Sequence, residues 1–143
     1  MRGRGRGGRG AKPIATHVVQ QIIRTNDAQT LVKEADRFGG ELAKSRLTKA
    51  QIRNIFGTVR QIEASWQSAE DSAVSLRQLL LLKPKLAYQA ARSEPVGPLR
   101  DVLDDAIDMV AEAKDPKQQL ERFGRFVDLF EAILAYHTEA GGR

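Results

Sequence analysis

Residues 116–138 have the sequence PKQQLERFGRFVDLFEAILAYHT, and this stretch decides the fold class. Its large apolar residues recur every three or four positions, at Leu120, Phe123, Phe126, Val127, Phe130, Ile133 and Leu134. That spacing places them on one face of an α-helix, as in a helix that buries one side in a core. Asp115 and Pro116 are typical of a helix start, and Gly141-Gly142 is typical of a helix end. The stretch therefore predicts a long amphipathic helix.

The same periodicity extends back toward the N-terminus and predicts further helices. We expect a first helix at about residues 15–23, a second that Asn26 caps, and a third that begins at the capping box Thr48-Lys49-Ala50-Gln51. Gly39-Gly40 lies inside the second helix and predicts a bend or a break there. The third helix has one apolar face, formed by Ile52, Ile55, Phe56, Val59, Ile62 and Trp66.

Prolines divide the second half of the chain. A fourth helix is predicted over about residues 69–82, and Pro84 is expected to end it and to start a short helix over residues 85–91. The residues predicted to be buried in the fourth helix are Val74, Leu76, Leu79, Leu80 and Leu82. Pro95-Val96-Gly97-Pro98 predicts a clear break. The helix after it has an apolar stripe of Leu99, Val102, Leu103, Ala106, Ile107 and Val110.

These segments together predict an all-α fold. No stretch alternates apolar and polar residues at every second position, and there is no Asn-Gly or Asp-Gly hairpin signal. We therefore expect residues 14–143 to form a single helical domain, a compact bundle of six or seven helices. Residues 1–13 begin with MRGRGRGGRGAK, which predicts a disordered Arg/Gly-rich N-terminal tail.

The composition excludes several classes of chemistry. The chain has no cysteine, so disulfides and thiolate metal sites are impossible. His17 and His137 are far apart, and the spacing of a zinc site or a phosphate-binding loop is not present. His137 is interpreted as a packing residue or as a favourable charge at a helix C-terminus. No apolar run approaches the length of a membrane span. We therefore expect that the chain is not an enzyme, binds no cofactor and is not a membrane protein.

Charge is distributed unevenly along the chain, whose net charge is +5. Residues 42–62 contain five bases and no acid, and residues 72–93 contain four bases and no acid. Residues 94–112 contain six acids and one base. One helix face is acidic and is interpreted as a solvated or partner-facing surface, with a metal site as the alternative; it consists of Asp101, Asp105, Asp108 and Glu112. The pattern indicates a polyanionic partner, a complementary neighbouring protein, or both.

Helical geometry brings the bases of the third helix together. At about 100° per residue, one ridge beside the apolar face is formed by Arg46, Lys49, Arg53 and Arg60. Gly57 is on the same side, where the missing side chain lets a ligand approach the backbone. Guanidinium groups in this arrangement can bind the oxygens of phosphate. The alternative is that the ridge is only a solvent-exposed flank of the helix. A second basic group consists of Lys83, Lys85 and Arg92. Tyr88 lies among them, and its ring either stacks on a nucleobase or packs within the protein.

Three stretches of the chain resemble the small subunit of type III-A (Csm) CRISPR effector complexes. They are residues 47–53, LTKAQIR, with the continuation VRQI at 59–62; residues 82–92, LKPKLAYQAAR; and residues 126–137, FVDLFEAILAYH. Their order and spacing match that family over about residues 28–138. The Arg/Gly tail departs from the family pattern.

The resemblance implies a cytoplasmic subunit of a prokaryotic immune complex. Such subunits are all-helical, lack nuclease activity, stack in several copies, and line the channel where target RNA pairs with the CRISPR RNA guide. The resemblance makes five residues candidates for RNA binding: Lys49, Arg53, Lys83, Lys85 and Arg92. We add Arg46 and Arg60 because they share the ridge of the third helix.

The predicted function is therefore that of a non-catalytic subunit that contacts target RNA or the guide–target duplex. Its partners would be target RNA, CRISPR RNA, other Csm subunits and further copies of itself. Stacked copies need two complementary surfaces, and one hypothesis pairs the acidic face within residues 101–112 with a basic surface on the next copy. Two alternatives stay open, a free-standing helical nucleic-acid-binding protein and a protein scaffold whose bases meet acidic protein neighbours.

Overall fold

The computed structural model describes residues 10–143, which contain six α-helices and no strand. The helices are α1 (Thr16–Ile23), α2 (Ala28–Lys44), α3 (Lys49–Ser65), α4 (Ser72–Arg92), α5 (Gly97–Ala111) and α6 (Pro116–Glu139). Two short 3-10 turns precede α4 and α5, at Ala69–Asp71 and Glu94–Val96. The prediction of an all-α bundle of six or seven helices is confirmed, and the described residues form six α-helices.

The N-terminal part of the described chain packs on helix α2. Ala11 is buried, and the Lys12 amide donates a hydrogen bond of 2.7 Å to Oε1 of Glu41. The chain therefore contacts the bundle inside the stretch of residues 1–13 that the sequence assigned to a tail. The tail prediction for residues 1–9 lies outside the described residues.

Helix α6 lies at the centre of the core and contacts all five other helices. Its start is the predicted one, because Oδ1 of Asp115 accepts a hydrogen bond of 2.8 Å from the Gln118 amide. Phe123, Phe126 and Phe130 are fully buried, as the periodicity predicted. Phe130 packs edge-on against Phe56 of α3, with ring centroids 5.0 Å apart. Aromatic packing of this kind supplies a large share of the burial that stabilises a bundle.

Helix α2 runs without a break through Gly39-Gly40, so the predicted bend or break is wrong. The reason is close contact with α6. A Cβ added at Gly39 would lie 2.8 Å from the Ile133 carbonyl oxygen and 2.9 Å from the His137 amide nitrogen. Glycine therefore allows two helix backbones to approach each other, and this packing outweighs the weak helical propensity of glycine.

The N-cap of α2 is Asp27, so the prediction of Asn26 is also wrong. Oδ1 of Asp27 accepts a hydrogen bond of 3.0 Å from the Thr30 amide. Asn26 instead has a φ of 57°, a left-handed conformation that asparagine tolerates better than most residues. Asn26 makes the turn, and the residue after it satisfies the free amides of the helix start.

Helix α4 is continuous from Ser72 to Arg92 with Pro84 inside it, so the predicted division at Pro84 is wrong. Proline removes the hydrogen bond that its N–H would donate to the carbonyl four residues earlier, here that of Leu80. Both Pro84 and Leu80 are exposed, so the missing bond falls on the outer side of the helix. Water can satisfy the Leu80 carbonyl there, which explains why the helix persists.

The buried face of α4 also differs from the prediction. It consists of Ser72, Ser75, Leu79, Leu82 and Leu86, while Val74 and Leu80 are exposed. The two serines are buried with partners. The Ser72 hydroxyl donates to Oε1 of Gln119 at 2.6 Å, and the Ser75 hydroxyl donates to the Ser65 carbonyl at 3.2 Å. Because these hydrogen bonds let serine enter the core, the apolar residues alone did not mark the buried face.

A break before α5 is confirmed, but it covers residues 93–96, because Gly97 and Pro98 already belong to α5. The stripe of α5 is confirmed, since all six of its residues are buried. At the end of α6, His137 is fully buried and its Nε2–H donates to the Leu47 carbonyl at 2.7 Å. Gly142 closes over the ring, where an added Cβ would overlap the imidazole. His137 is thus a packing residue that ties α6 to the loop before α3.

Candidate nucleic-acid interface

Helix α3 begins at the capping box that the sequence predicted. The Thr48 amide donates to Oε1 of Gln51 at 2.9 Å, and the Gln51 amide donates to Oγ1 of Thr48 at 3.1 Å. The whole apolar face of α3 is buried, including Trp66, which stacks on Phe123 with ring centroids 4.6 Å apart. Capping and burial fix both the start and the rotation of α3. They therefore fix the direction in which its basic flank points.

The basic flank of α3 consists of Lys49, Arg53 and Arg60, and Arg46 is not part of the helix. Arg46 lies in the loop before Thr48 with a φ of 75°. Its helical-wheel position was wrong because α3 starts only at Lys49. We call Arg46, Lys49, Arg53 and Arg60 the α3 ridge. Its loop member, Arg46, precedes the helix and is three residues before Lys49.

The seven candidate bases differ in what they already contact. Arg60 pairs with Glu63 at 2.8 Å, and its guanidinium lies 5.3 Å from the Phe56 ring centroid. Lys83 pairs with Asp108 of α5 at 2.5 Å. Arg92 donates to the Tyr88 hydroxyl at 3.0 Å. Of the seven candidate bases, Arg46, Lys49, Arg53 and Lys85 have no ion-pair or hydrogen-bond partner for their side chains among residues 10–143.

The bases of α3 and α4 do not form one cluster. The two helices are antiparallel neighbours: Nε2 of Gln51 donates to Oγ of Ser93 at 2.9 Å, and Ser65 meets Ser75 at the other end. At about 100° per residue, Gln51 and Ser65 lie on roughly the opposite flank of α3 from Lys49, Arg53 and Arg60. Helix α4 is therefore on the side of α3 that faces away from the ridge. The structure separates the predicted site into two surfaces.

The second surface is the outward side of α4, and the sequence analysis missed its apolar part. Val74, Leu81 and Tyr88 are 66%, 46% and 62% exposed. Rotation from the buried face of α4 places three bases among them. We define the α4 outer face as Val74, Arg77, Leu81, Lys85, Tyr88 and Arg92. A helical wheel centred on Ser75, Leu79 and Leu82 would have found it, but the serines were not recognised as core residues.

The acidic face of α5 is largely paired within the chain. Oδ2 of Asp105 accepts from the Thr16 hydroxyl at 2.8 Å, and Asp108 pairs with Lys83. The Glu112 carboxylate accepts hydrogen bonds from two arginines. Nη2 of Arg24 donates to Oε1 at 2.8 Å, and Arg122 donates to Oε2. The hydrogen bond from Arg24 lowers the pKa of the Glu112 carboxyl. Among residues 10–143, no group of three or more His, Asp or Glu side chains is arranged to hold a metal ion.

A family model described as Csm2 Type III-A matches residues 25–143. The chain belongs to the Csm2 family. It is therefore a subunit of a type III-A CRISPR effector complex and associates with other Csm subunits, as the three sequence stretches predicted. The match includes the α3 ridge, the α4 outer face and all of α6. No curated protein and no solved structure matches the chain. None of the six helices is long and apolar enough to cross a membrane.

This Csm2 family member also has an acidic stripe on the outward side of α6. We define the α6 stripe as the exposed residues Glu121, Gly124, Asp128, Glu131 and Ala135, which follow one another at spacings of three and four. The pKa of the Asp128 carboxyl is raised, first by partial burial and then by the negative charges of Glu131 and Glu63. Negative charge is therefore concentrated where α6 and α3 meet.

Asp128→Asn is expected to stabilise this Csm2 family member at neutral pH. The pKa of Asp128 is higher in the folded than in the unfolded state, so ionised Asp128 favours unfolding. This loss of stability is absent when the pH is below the pKa of Asp128 in both states. It is complete when the pH is above the pKa of Asp128 in the folded state. Thermal unfolding should show a higher midpoint for the variant at pH 7 and no difference at about pH 3. If the variant is less stable than wild type at pH 7, the pKa of Asp128 is not raised in the folded state.

Proposed function

We propose that this chain is the non-catalytic small subunit of a type III-A CRISPR ribonucleoprotein, in which several copies stack and the α3 ridge contacts RNA. Its ligand would be the backbone of target RNA or of the guide–target duplex. Membership of the Csm2 family supports the place in the complex. The observation that carries the RNA contact is that Arg46, Lys49 and Arg53 lack partners within the described chain. We also propose that the protein acts in the cytoplasm and without a cofactor, for which its Csm2 family membership is the support.

The α3 ridge suits phosphate for electrostatic reasons. Unpaired arginine and lysine bind phosphate through charge-assisted hydrogen bonds, and neutralising backbone phosphates dominates the affinity for nucleic acid. Lys49 and Arg53 are one helical turn apart, which is about 6 Å along α3. The rigid, capped helix presents both charges without the entropy cost of ordering a loop.

Gly57 supports a close approach of the ligand between Arg53 and Arg60. It is exposed, and an added Cβ would meet no atom within 4 Å. No packing among residues 10–143 therefore explains a glycine here, although glycine costs about 1 kcal/mol in a helix interior. A phosphate that approaches the backbone at this point would explain it, and Arg60 could exchange Glu63 for that phosphate.

A binding site of this kind recognises backbone rather than sequence. Double-stranded RNA geometries are contacted mainly through shape, phosphate and 2′-hydroxyl groups. Base pairing with the guide would supply the sequence specificity. The α3 ridge consists of basic side chains alone and contains no asparagine or glutamine. This composition is consistent with that division of tasks. The remaining candidates lie on α4: Lys85 and Arg92 belong to the α4 outer face, and Lys83 is paired with Asp108 of α5.

The test is a comparison of two triple variants that each remove three positive charges. Arg46→Ala/Lys49→Ala/Arg53→Ala removes the unpaired ridge bases, and Lys12→Ala/Lys33→Ala/Lys114→Ala removes exposed bases elsewhere. Binding of a labelled RNA is measured over a salt series. We expect weaker binding by the ridge variant and a log–log salt slope that is shallower by roughly two to three, since each of the three lost phosphate contacts removes about 0.7–0.9. The control variant should resemble wild type.

Other outcomes would select the alternatives. If both triple variants bind RNA alike, the ridge does not contact phosphate, and the RNA contact is excluded. If the ridge variant instead fails to enter the Csm complex, the bases meet acidic protein neighbours, as in a scaffold. Tight binding by the isolated chain, equal to that of the assembled complex, would favour a free-standing nucleic-acid-binding protein, because stacked copies should bind more tightly together than alone.

A further inference from the structure

The α4 outer face has properties that the core does not explain. Val74, Leu81 and Tyr88 follow one another at intervals of seven residues, so they form one exposed line along the helix. All the large apolar residues that are exposed in residues 10–143 lie on α4, apart from Val32. Such clustering on one helix marks an interaction surface, whereas single exposed apolar residues do not.

The composition of the α4 outer face favours a protein partner over RNA. Aliphatic side chains such as Val74 and Leu81 have no aromatic face on which a base can stack, and their burial needs apolar groups on the other side. Residues 72–93 contain no acid, so two α4 outer faces placed against each other would bring like charges together. The partner surface must therefore supply carboxylates beside its apolar or small residues.

The α6 stripe has these properties. Its acids Glu121 and Asp128 are seven residues apart, which is about 10.5 Å along a helix, and Lys85 and Arg92 have the same separation. Gly124 and Ala135 lie among the acids, and an added Cβ at Gly124 would meet no atom within 4 Å. Small residues let another helix approach closely and leave space for side chains as large as Leu81 and Tyr88. Partial burial, followed by the negative charges of Glu131 and Glu63, raises the pKa of the Asp128 carboxyl.

We propose that the α4 outer face of one copy docks on the α6 stripe of a second copy. The inference rests on the stacking part of the proposed function and names the surfaces that it uses. The two surfaces are different, so a contact leaves the α6 stripe of one copy and the α4 outer face of the other free, and repetition produces an open stack. Neither surface includes a residue of the α3 ridge. The paired acids of α5 are then not needed for the contact.

The chain has no cysteine, which permits an unambiguous cross-linking test. The variant Leu81→Cys/Gly124→Cys is assembled with the other Csm subunits, treated with a short bismaleimide, and separated under denaturing conditions. Head-to-tail docking predicts a ladder of linked copies, and each single-cysteine variant should give none. Val32→Cys/Gly124→Cys is the matched control, because Val32 is an exposed apolar residue on α2, outside both surfaces. Both substituted positions are at the surface, so we expect folded variants.

Three cross-linking results would overturn the docking proposal. Dimers of Leu81→Cys alone would show that two α4 outer faces meet each other. A complex with several copies but no Leu81–Gly124 link would show that other surfaces stack. A complex that contains a single copy would exclude copy-to-copy docking altogether. None of these results changes the salt dependence of the α3 ridge variant, so the RNA proposal is judged separately.

Charge reversal provides a second measurement in the same complex. Lys85→Glu/Arg92→Glu is expected to lower the number of copies per complex, and so is Glu121→Lys/Asp128→Lys. A chain with all four changes should regain the copies, since the charges are again complementary. Failure of that rescue would contradict the pairing. If Lys85→Glu/Arg92→Glu keeps its copy number but binds RNA more weakly, the α4 outer face contacts RNA and the docking proposal is wrong.

Discussion

Replacement of Gly39 by alanine should destabilise the fold more than any other single methyl group added to α2. The new Cβ would lie 2.8 Å from the Ile133 carbonyl oxygen and 2.9 Å from both the His137 amide nitrogen and Cβ of Tyr136. Two of these obstacles are backbone atoms of α6, which cannot rotate away, so the helices must separate. Overpacking of this kind costs about 3 kcal/mol. For a domain of this size, that corresponds to a fall of roughly 10 °C in the melting temperature.

The neighbouring glycine provides a matched control. Gly40 is in the same helix, and an added Cβ there would meet no atom within 4 Å. Gly40→Ala should therefore stabilise the protein by about 0.5–1 kcal/mol through its better helical propensity. Urea unfolding of both variants gives the two free energies of unfolding. Equal effects of the two substitutions would show that α2 and α6 do not approach closely at Gly39.

The second large effect is expected at Leu79. Its side chain is fully buried in the core, whereas that of Leu81, two residues later, is 46% exposed. Leu79→Ala should lower the free energy of unfolding by about 2–5 kcal/mol, because it removes apolar burial and leaves a cavity. Leu81→Ala should change it by about 0.5 kcal/mol, as is usual at the surface.

Denaturant unfolding of the two leucine variants checks the orientation of α4. The pair is informative because the sequence alone does not say which leucine of the run at residues 79–82 faces the core. A larger loss for Leu81→Ala than for Leu79→Ala would mean that α4 is rotated about its axis. The α4 outer face would then not exist as described, and the docking proposal would lose its basis.

The helices that the sequence predicted well are those with two independent signals. Helix α3 has a capping box and a regular apolar stripe, and α6 has Asp115, Pro116 and an aromatic stripe. Capping fixes where such a helix starts, and periodicity fixes which face is buried. Helix α4 has a run of four leucines and an internal proline instead. Such a run contains no information on the buried face, and the effect of Pro84 depends on whether the missing hydrogen bond faces water.

The candidate site shows the same limit. The position of Lys49 and Arg53 on the flank of α3 followed from the capping box and the apolar stripe of that helix. The pairing of Lys83 with Asp108 did not, because the partner is on another helix 25 residues away. The close contact at Gly39 also depends on a distant segment, so only its low helical propensity was visible in the sequence. Local patterns predict the direction of a side chain, and tertiary packing decides which groups meet.

The central position of α6 has a consequence for synthesis. It is the last of the six helices along the chain, yet it touches all the others. While a ribosome translates the message, the first five helices emerge without the surface against which they pack. Their apolar faces stay exposed to the cell until residues 116–139 have left the exit tunnel. Exposed apolar surface of this kind favours aggregation, so we expect premature termination within α6 to yield aggregation-prone fragments rather than a smaller working subunit.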